Sequence, residues 1–221
     1  MSKILTMFKL QQELNDNTNG KDWELGVTKQ GKEINWRRCI YLEAAELIDS
    51  YPWKHWKNIN SDVDRENVKV ELVDIWHFVM SEVLRVNYLN EKKPLAALAK
   101  DIEDAIKDID VKREDNYYKE IEAIEELIKK LFCNFELIDF TKSFFELSYK
   151  LGLDLDSLYK LYIGKNILNI FRQEHGYKDG TYKKVWNGKE DNVVMQEILA
   201  NNSNITPDEL YKKLEEQYKK A

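Results

Sequence analysis

Two stretches of this 221-residue chain, YLEAAELIDS (41–50) and KVELVDIWHF (69–78), decide both its predicted fold and its predicted chemistry. Each stretch contains two acidic residues three positions apart in an apolar run: Glu43 and Glu46 in the first, Glu71 and Asp74 in the second. Residues three apart share one face of an α-helix. Both runs are apolar on almost every side, so the sequence predicts two buried helices that carry acidic side chains.

Carboxylates on buried helices need cations or hydrogen-bonding partners, because burial of an unpaired charge is costly. Two antiparallel helices with opposed acidic faces would aim four carboxylates at one point, where a divalent cation would neutralise them. Oxygen-only ligands suit Mg²⁺, which usually serves a phosphate-bearing substrate. A solvated helix face is the alternative for either pair alone. A di-iron or di-manganese bundle is the rival metal site, of which Asp74-x-x-His77 is a single partial imitation.

The bulk composition narrows the choice of partners and compartment. The chain is 43% hydrophobic and 33% charged, and its formal net charge is −6. This charge argues against nucleic acid and against anionic membranes as partners. No apolar run approaches the roughly 18 residues of a membrane span. Cys39 and Cys133 fit no metal or redox spacing, so we expect reduced thiols and a cytoplasmic location.

Helical periodicity and only three prolines and eight glycines predict an all-α protein, a helical bundle core with a helical insertion or appendage. Six to nine helices are expected, over residues 3–16, 35–50, 64–90, two within 91–138, two within 140–171, 191–200 and from 207 onward. Thr206 is predicted to cap the last helix, and Asp156 or Ser157 an earlier one. We expect one domain over 1–221, with the charged segment at about 91–138 as a mobile or dimer-contacting subdomain.

The segment KNILNIFRQEHGYKDGTYKKVWNGKEDN (165–192) supplies the groups that a phosphate chain would need. Lysines, an arginine, asparagines and tyrosines provide charged and neutral hydrogen-bond donors between three glycines. The segment matches neither a Walker A loop nor a dinucleotide fingerprint, and a basic surface loop is the alternative. Together with the paired acids, it predicts metal-assisted hydrolysis of a polyphosphate.

The two acidic pairs combined with the 165–192 segment resemble the dimeric dUTPases of the all-α NTP pyrophosphatase superfamily. The resemblance extends over nearly the whole chain and is least specific between residues 91 and 140. It implies hydrolysis of dUTP to dUMP and pyrophosphate, and of dUDP to dUMP and phosphate, by a homodimer with two or three Mg²⁺ ions per site. The rivals are a different nucleotide specificity in the same superfamily and a non-enzymatic helical metal-binding or interaction protein.

The resemblance also implies roles for individual residues. The metal ligands it implies are Glu43, Glu46, Glu71 and Asp74. Glu46 is our choice of general base, with Glu43 as the alternative. The base and deoxyribose pocket it implies consists of Gln12, Asn15, Trp56 and His77. The contacts to the phosphates or sugar that it implies are Asn169, Tyr177, Lys184 and Asn192, and it implies Lys165 and Arg172 as neighbours of the phosphate chain.

Overall fold

The computed structural model describes residues 2–57, 60–202 and 205–220, and most of these residues are helical. The α-helices in the described residues are α1 (Lys3–Asn19), α2 (Trp36–Asp49), α3 (Arg65–Val86), α4 (Leu95–Ile106), α5 (Tyr117–Cys133), α6 (Leu137–Lys150), α7 (Leu155–Glu174), α8 (Asp191–Asn201) and α9 (Pro207–Tyr218), and a short 3₁₀-helix spans Trp23–Leu25. One turn of π-helix, Asn87–Glu91, follows α3 directly. The all-α prediction is confirmed.

A short antiparallel hairpin was not predicted by the sequence. Its strands, β1 (Val185–Trp186) and β2 (Lys189–Glu190), contain two residues each. Val185 pairs with Glu190, and Trp186 pairs with Lys189. Strands this short leave no period-2 pattern in the sequence from which to predict them.

Side-chain caps fix where the two acidic helices begin. The side chain of Asn35 accepts a hydrogen bond from the backbone N–H of Arg38 at the start of α2. Asp64 caps α3 in the same way by accepting from the backbone N–H of Asn67. Each cap satisfies a backbone donor that has no partner within its helix. The acidic pairs therefore start in a defined helical register.

Capping further along the chain agrees with the prediction at α9 and differs from it at α7. Thr206 and Glu209 form a reciprocal capping box at α9, as Thr206 was predicted to do. The predicted cap of α7 at Asp156 or Ser157 is wrong. The carboxylate of Asp154 accepts from the backbone N–H of Ser157 instead, because the helix already begins at residue 155.

The chain divides into two compact units, Met1–Leu158 and Tyr159–Ala221. The core of the first unit is centred on Trp76, which has no exposed surface. The Trp76 ring stacks on Phe144 with 5.1 Å between ring centroids and meets Phe145 edge-on at 5.0 Å. Phe8 of α1 stacks on the same indole at 6.4 Å. These contacts hold α1 and α6 against α3, the helix that carries the second acidic pair.

Helices α2 and α3 pack side by side in antiparallel directions. Near the start of α2, Nε of Arg37 lies 2.8 Å from Oε1 of Glu82, close to the end of α3. At the other end of the pair, Nδ2 of Asn67 donates to Oγ of Ser50 at 2.9 Å. These two contacts fix the register that brings the acidic pairs opposite each other.

The prediction that both acidic helices are buried on almost every side is wrong for α2. Tyr41 and Leu42 are 43% and 52% exposed, and Ala45 and Glu46 are also exposed. The opposite face, with Ile40, is buried against the bundle. An apolar residue type does not by itself guarantee burial, so α2 carries an exposed apolar face within this chain.

The charged segment between α3 and α6 folds into the first unit through two amphipathic helices. Helix α4 buries Leu98 and Ile102 and packs on α1 and α6. Helix α5 buries Ile124 and Leu131 and packs on α6 and α2. Most of the charged side chains lie on the opposite helix faces, as amphipathic helices require, although Glu120 of α5 is buried and pairs with Arg65 of α3. A role of this segment in dimerisation stays a prediction, as does the single-domain organisation.

The second unit has an aromatic core of its own. Phe171 of α7 and Trp186 of β1 are buried with 5.8 Å between their ring centroids. Tyr218 of α9 approaches both rings at 5.4 Å. Helices α8 and α9 contribute buried aliphatic side chains such as Leu199 and Leu214. The unit thereby holds together the segment from residue 165 to residue 192.

Candidate metal and nucleotide site

Three of the four predicted metal ligands converge in the first unit. Carboxylate oxygens of Glu43, Glu46 and Glu71 all lie within 4.8 Å of one another. Glu71 is buried, Glu43 is half-buried and Glu46 is exposed. Three carboxylates at this separation repel one another unless protons or cations neutralise them. The group is therefore a candidate divalent-cation site that is open on the side of Glu46.

Asp74 lies one helical turn after Glu71 on α3 and is half-buried. Among the described residues, its carboxylate lies outside the group that Glu43, Glu46 and Glu71 form. The three converging residues supply oxygen ligands only, which is the donor set that Mg²⁺ prefers over softer metals. The residues present therefore fit a magnesium site, and a ligand role for Asp74 stays a prediction.

The pKa of the Cys39 thiol is affected by the neighbouring carboxylate of Glu43. Cys39 lies one turn before Glu43 on α2 and is half-buried. Burial raises the pKa of its thiol above the ordinary value, and the negative charge of Glu43 raises the pKa further. The thiolate is the reactive form of cysteine, so this environment keeps Cys39 unreactive.

A buried polar network joins α1 to the part of α3 that follows the acidic pair. Gln11 and Asn15 on α1 both donate amide hydrogens to Oγ of Ser81, over 3.1 Å and 2.9 Å. Ser81 donates in turn to the carbonyl oxygen of His77. Oε1 of Gln11 lies 2.7 Å from Nδ1 of His77. Because the Gln11 amide group is already donating to Ser81, its oxygen accepts here and Nδ1 of His77 carries the proton.

The structure brings two of the predicted base-pocket residues, Asn15 and His77, into this network and orients Gln12 elsewhere. The amide of Gln12 donates to Oε1 of Glu24 at 2.7 Å and to Oδ1 of Asp16 at 3.2 Å. Gln12 and Glu24 line a cavity of about 660 Å³ together with Tyr88 and other residues of the π-helical turn. A cavity of this volume is large enough for a nucleobase.

Trp56 is the most exposed of the predicted pocket residues. Its side chain is 64% exposed, and its ring meets those of His55 and Trp53 edge-on at 4.8 Å and 5.6 Å. An exposed tryptophan is a large apolar surface that a ligand or a partner can cover. The connection of Trp56 to the base pocket stays a prediction from the sequence.

The predicted phosphate residues of the second unit are organised around a residue that the sequence did not single out. Nε and Nη2 of Arg172 donate to the two carboxylate oxygens of Asp191 at 2.8 Å and 2.7 Å. Asp191 has no exposed surface. Its Oδ2 also accepts from the hydroxyl of Tyr182 at 2.8 Å. Burial alone would raise the pKa of Asp191, but the ion pair and hydrogen bonds with Arg172 lower it below the ordinary value.

Further hydrogen bonds extend from this ion pair to other predicted site residues. Nη1 of Arg172 donates to Oδ1 of Asn169 at 3.2 Å, and Nη2 donates to Oδ1 of Asn192 at 3.3 Å. Nζ of Lys165 donates to the same oxygen of Asn192 at 2.9 Å. Four of the six predicted phosphate or sugar residues therefore form one connected network.

The other two predicted phosphate residues lie on the surface of the second unit. Tyr177 is 47% exposed, and the Arg172 guanidinium lies 5.8 Å from the centre of its ring. The Lys184 side chain is 51% exposed and lies 3.7 Å from Glu190. The turn that contains Tyr177 begins at residue 176 and requires glycine there, because φ is +85° and a Cβ would lie 2.1 Å from Oγ1 of Thr181.

The sequence interpretation missed Gln11, Ser81 and Asp191. Gln11 and Ser81 are polar residues on apolar helix faces, and burial there requires a partner. That signal was present in the sequence but did not identify the partner. Asp191 directly precedes Asn192 in the sequence, but its pairing with Arg172 is a tertiary contact across 19 positions. No local pattern predicts such a contact.

The fold and the site together define a helical enzyme whose clustered carboxylates fit a divalent cation and whose polar segments suit a nucleotide. The family model described as dUTPase matches residues 3–177 of the chain, which include both acidic pairs and all four predicted base-pocket residues. The chain belongs to the dUTPase family and is a dUTP diphosphatase that hydrolyses dUTP. The family resemblance noted in the sequence is thereby confirmed.

The match with the family model ends at residue 177, before the last part of the phosphate segment. Lys184, Asp191 and Asn192 lie beyond residue 177, so their roles depend on the resemblance in sequence and on the contacts described above. No curated protein matches the chain. None of the helices in the described residues combines the length and the apolar character that a bilayer span requires.

Proposed function

We propose that this dUTP diphosphatase is magnesium-dependent and converts dUTP to dUMP and pyrophosphate at the acidic group of α2 and α3. The observation that carries the proposal is the convergence of oxygens from Glu43, Glu46 and Glu71 within 4.8 Å. Asp74, one turn from Glu71, is the fourth proposed ligand. Two or three Mg²⁺ ions per site are proposed from the family resemblance.

The carboxylates have two tasks in this mechanism. Bound Mg²⁺ supplies neutralisation of phosphate oxygens and a lowered pKa for the attacking water. Glu43, Glu46, Glu71 and Asp74 would hold the cation from the two helices. Glu46 takes the proton from the water as general base, with Glu43 as the alternative. The exposure of Glu46 supports this assignment, because a general base must reach a solvent-derived water.

Base selection is proposed to reside on α1 and α3. Uracil presents two acceptors and one donor on its edge, and a carboxamide offers a donor and an acceptor together. Gln12 at the 660 Å³ cavity is the proposed contact to the base. Asn15 and His77, held by Gln11 and Ser81, are proposed to form the polar wall of the base and sugar pocket. A site built for these groups penalises cytosine, which would leave them unpaired.

Phosphate binding is proposed to depend on Lys165, Asn169, Arg172, Tyr177, Lys184 and Asn192. Lysine and arginine donors stabilise charge on a polyphosphate, most strongly when they are fixed in place before the substrate arrives. The hydrogen bonds that already connect Lys165, Arg172 and Asn192 support such a fixed arrangement. Attack at the β-phosphorus is proposed from the family resemblance, and dUDP would then be a second substrate.

A two-fold homodimer is proposed as the working assembly. The exposed apolar face of α2 continues onto α5, where the ring of Phe132 meets that of Tyr41 at 5.9 Å. Leu42 and Phe132 are both more than half exposed. A contiguous apolar surface of this kind supports a protein contact, and a second copy of the chain is the simplest occupant. The cytoplasmic location stays a prediction from the two reduced thiols.

A nucleotide panel tests the proposed specificity. Pyrophosphate release is measured from dUTP, dCTP, dTTP and UTP at equal concentration with Mg²⁺, and phosphate release is measured from dUDP. We expect dUTP to be cleaved far faster than the other triphosphates and dUDP to be cleaved as well. Comparable rates for dCTP or dTTP would instead favour a broad house-cleaning pyrophosphatase.

A further inference from the structure

Asp191 is the centre of the polar network in the second unit, although its negative charge would repel a phosphate placed against it. It has no exposed surface, and it lies at the first position of α8. Its two oxygens accept from Arg172, from Tyr182 and from the backbone N–H of Asn192. A buried carboxylate with this many donors is ionised and fixed in one orientation.

The ion pair with Asp191 determines in which direction the guanidinium group of Arg172 points. The parallel fork of its guanidinium, Nε and Nη2, is directed at Asp191. A guanidinium fork matches the geometry of a phosphate as well as that of a carboxylate, and here the carboxylate of Asp191 occupies it. The opposite edge, Nη1, faces Asn169, and Nη2 also reaches Asn192. The fork therefore acts as an anchor, and the remaining donors of the guanidinium have a fixed direction.

Asp191 orients Asn192 both by a direct hydrogen bond and through Arg172. Its backbone N–H donates to Oδ1 of Asp191 at 2.8 Å. Its side-chain oxygen accepts from Arg172 and from Lys165. When that oxygen accepts from two cations, the amide nitrogen of Asn192 must point away from them. One carboxylate thus determines the placement of three groups that the proposed function assigns to the substrate.

We infer that Asp191 is a positioning residue for polyphosphate binding, which fixes Arg172, Asn192 and through them Lys165 in the geometry that a triphosphate requires. The inference rests on the proposed role of these three residues as phosphate contacts. Asp191 itself does not touch the substrate. Preorganised donors bind an anion without losing side-chain freedom on binding, so loss of the anchor weakens binding although every donor is still present.

Electrostatics and positioning predict opposite outcomes when Asp191 is replaced by Asn. Loss of one negative charge beside a polyanion site strengthens binding if charge alone matters. Loss of the charged anchor weakens binding if orientation matters, because an amide cannot accept both arms of the guanidinium fork. The sign of the change therefore separates the two explanations.

The test uses the 221-residue chain with inorganic tripolyphosphate and Mg²⁺ as the probe, and calorimetry measures the binding affinity. We expect Asp191→Asn to bind tripolyphosphate roughly tenfold or more weakly than the wild type, as loss of charged hydrogen bonds implies. The matched control is Asp179→Asn, which removes the same charge from an exposed side chain of the same segment. The control is expected to bind as tightly as the wild type or more tightly. Unchanged or tighter binding by Asp191→Asn would overturn the inference.

A second variant covers the case in which Asp191→Asn does not fold, as its thermal unfolding profile would reveal. Arg172→Lys keeps the charge of both partners and loses the fork. We expect it to bind tripolyphosphate severalfold more weakly, whereas wild-type affinity would show that charge suffices and would contradict the inference. In kinetics with dUTP, either variant should raise KM more than it lowers kcat if the loss lies in phosphate positioning before chemistry.

Because tripolyphosphate carries no base, the test does not depend on the activity toward dUTP. A wild-type protein that binds tripolyphosphate but shows no magnesium-dependent dUTP hydrolysis would refute the proposed function and leave the role of Asp191 testable. A wild-type protein that hydrolyses dUTP, combined with unchanged tripolyphosphate affinity in Asp191→Asn, would refute only the inference about Asp191.

Discussion

Glu43 on α2 and Glu71 on α3 bring carboxylate oxygens within 4.8 Å of each other, and Glu46 completes the group. Helix α2 runs antiparallel to α3, so side chains far apart in sequence meet at one point. Like charges at this distance destabilise the fold until a cation or protons neutralise them. Stability and function therefore make opposite demands on this site, as they commonly do at active sites.

This opposition predicts the effect of Glu71→Gln on stability. Without metal, we expect the variant to be more stable than the wild type by about 1 kcal/mol, because one of three repelling charges is lost. Saturating Mg²⁺ should raise the Tm of the wild type through binding to the folded state and should raise that of the variant less. Thermal unfolding with Mg²⁺ and with a chelator measures both effects. Glu66→Gln on the exposed start of the same helix is the control, and an equal Mg²⁺ response in Glu71→Gln would contradict the assigned site.

The contact between Arg37 and Glu82 predicts a stability effect without a change in the site residues. The Glu82 side chain is 3% exposed, and Arg37 is its nearest cationic partner, with Arg85 at 3.4 Å. Arg37→Ala leaves the carboxylate with the weaker partner alone and should cost about 1–2 kcal/mol, discounted because Arg37 is more than a third exposed. Denaturant unfolding should show this loss, whereas Arg38→Ala, at the adjacent exposed position, should be near neutral. Equal stability of the two variants would show that the ion pair does not hold α2 against α3.

The ion pair between Arg172 and Asp191 predicts a pH-dependent contribution to stability. The pKa of Asp191 is lowered in the folded protein, so its contribution is complete above the unfolded pKa of about 3.9 and is lost as the pH falls toward the folded pKa. The difference in Tm between the wild type and Asp191→Asn should be largest near neutral pH and should shrink below about pH 4. Calorimetric scans across this range measure it. A difference that grows as the pH falls would contradict an ionised Asp191.

The exposed apolar face of α2 predicts how the assembly can be disrupted. Leu42→Glu places a charge in the proposed interface, and we expect it to convert a dimer of twice 26.3 kDa into a monomer. Val27→Glu, at a similarly exposed position outside this face, should leave the assembly intact. Light scattering at several concentrations gives the mass directly. A wild-type protein that scatters as a monomer would refute the dimer before any variant is needed.

Alanine variants of Trp56 and of its neighbour Trp53 test whether Trp56 belongs to the base pocket. Trp56→Ala should raise KM for dUTP severalfold and relax discrimination against dCTP and dTTP, because a large apolar surface is removed from the proposed pocket. Trp53→Ala removes the neighbouring ring and should change selectivity less. The Mg²⁺ dependence should be the same in both variants. Unaltered base selectivity in Trp56→Ala would remove this residue from the pocket and leave the metal chemistry standing.

Periodicity and capping predicted most of the helical structure. Apolar spacing located α2 and α3 within a few residues, and Thr206 before Pro207 correctly located the start of α9. The start of α7 was missed because Asp154 and Asp156 are both suitable caps by residue type, and the choice between them is made in three dimensions. The hairpin at 185–190 was missed because two-residue strands are held by their turn and their packing.

In the candidate site, too, local sequence patterns predicted some features and tertiary contacts determined the others. Spacing of acidic residues predicted that the carboxylates of Glu43, Glu46, Glu71 and Asp74 converge, because helical geometry follows from local signals. Three of the four do so, and Asp74 lies outside the group. The hydrogen bonds from Gln11 to His77 and from Arg172 to Asp191 depend on tertiary contacts between distant positions. Residue type shows that such buried polar groups need partners, but it does not show which partner each one finds.

We propose above all that the clustered carboxylates of α2 and α3 support magnesium-dependent hydrolysis of dUTP. The most direct measurement is pyrophosphate release from dUTP by the wild type and by Glu71→Gln, each with Mg²⁺ and with a chelator. We predict release by the wild type with Mg²⁺, its loss with the chelator, and at least a hundredfold lower rate in folded Glu71→Gln, roughly the loss expected when charge stabilisation in the transition state is removed. Release that persists in the chelator, or wild-type activity in Glu71→Gln, would refute this proposal.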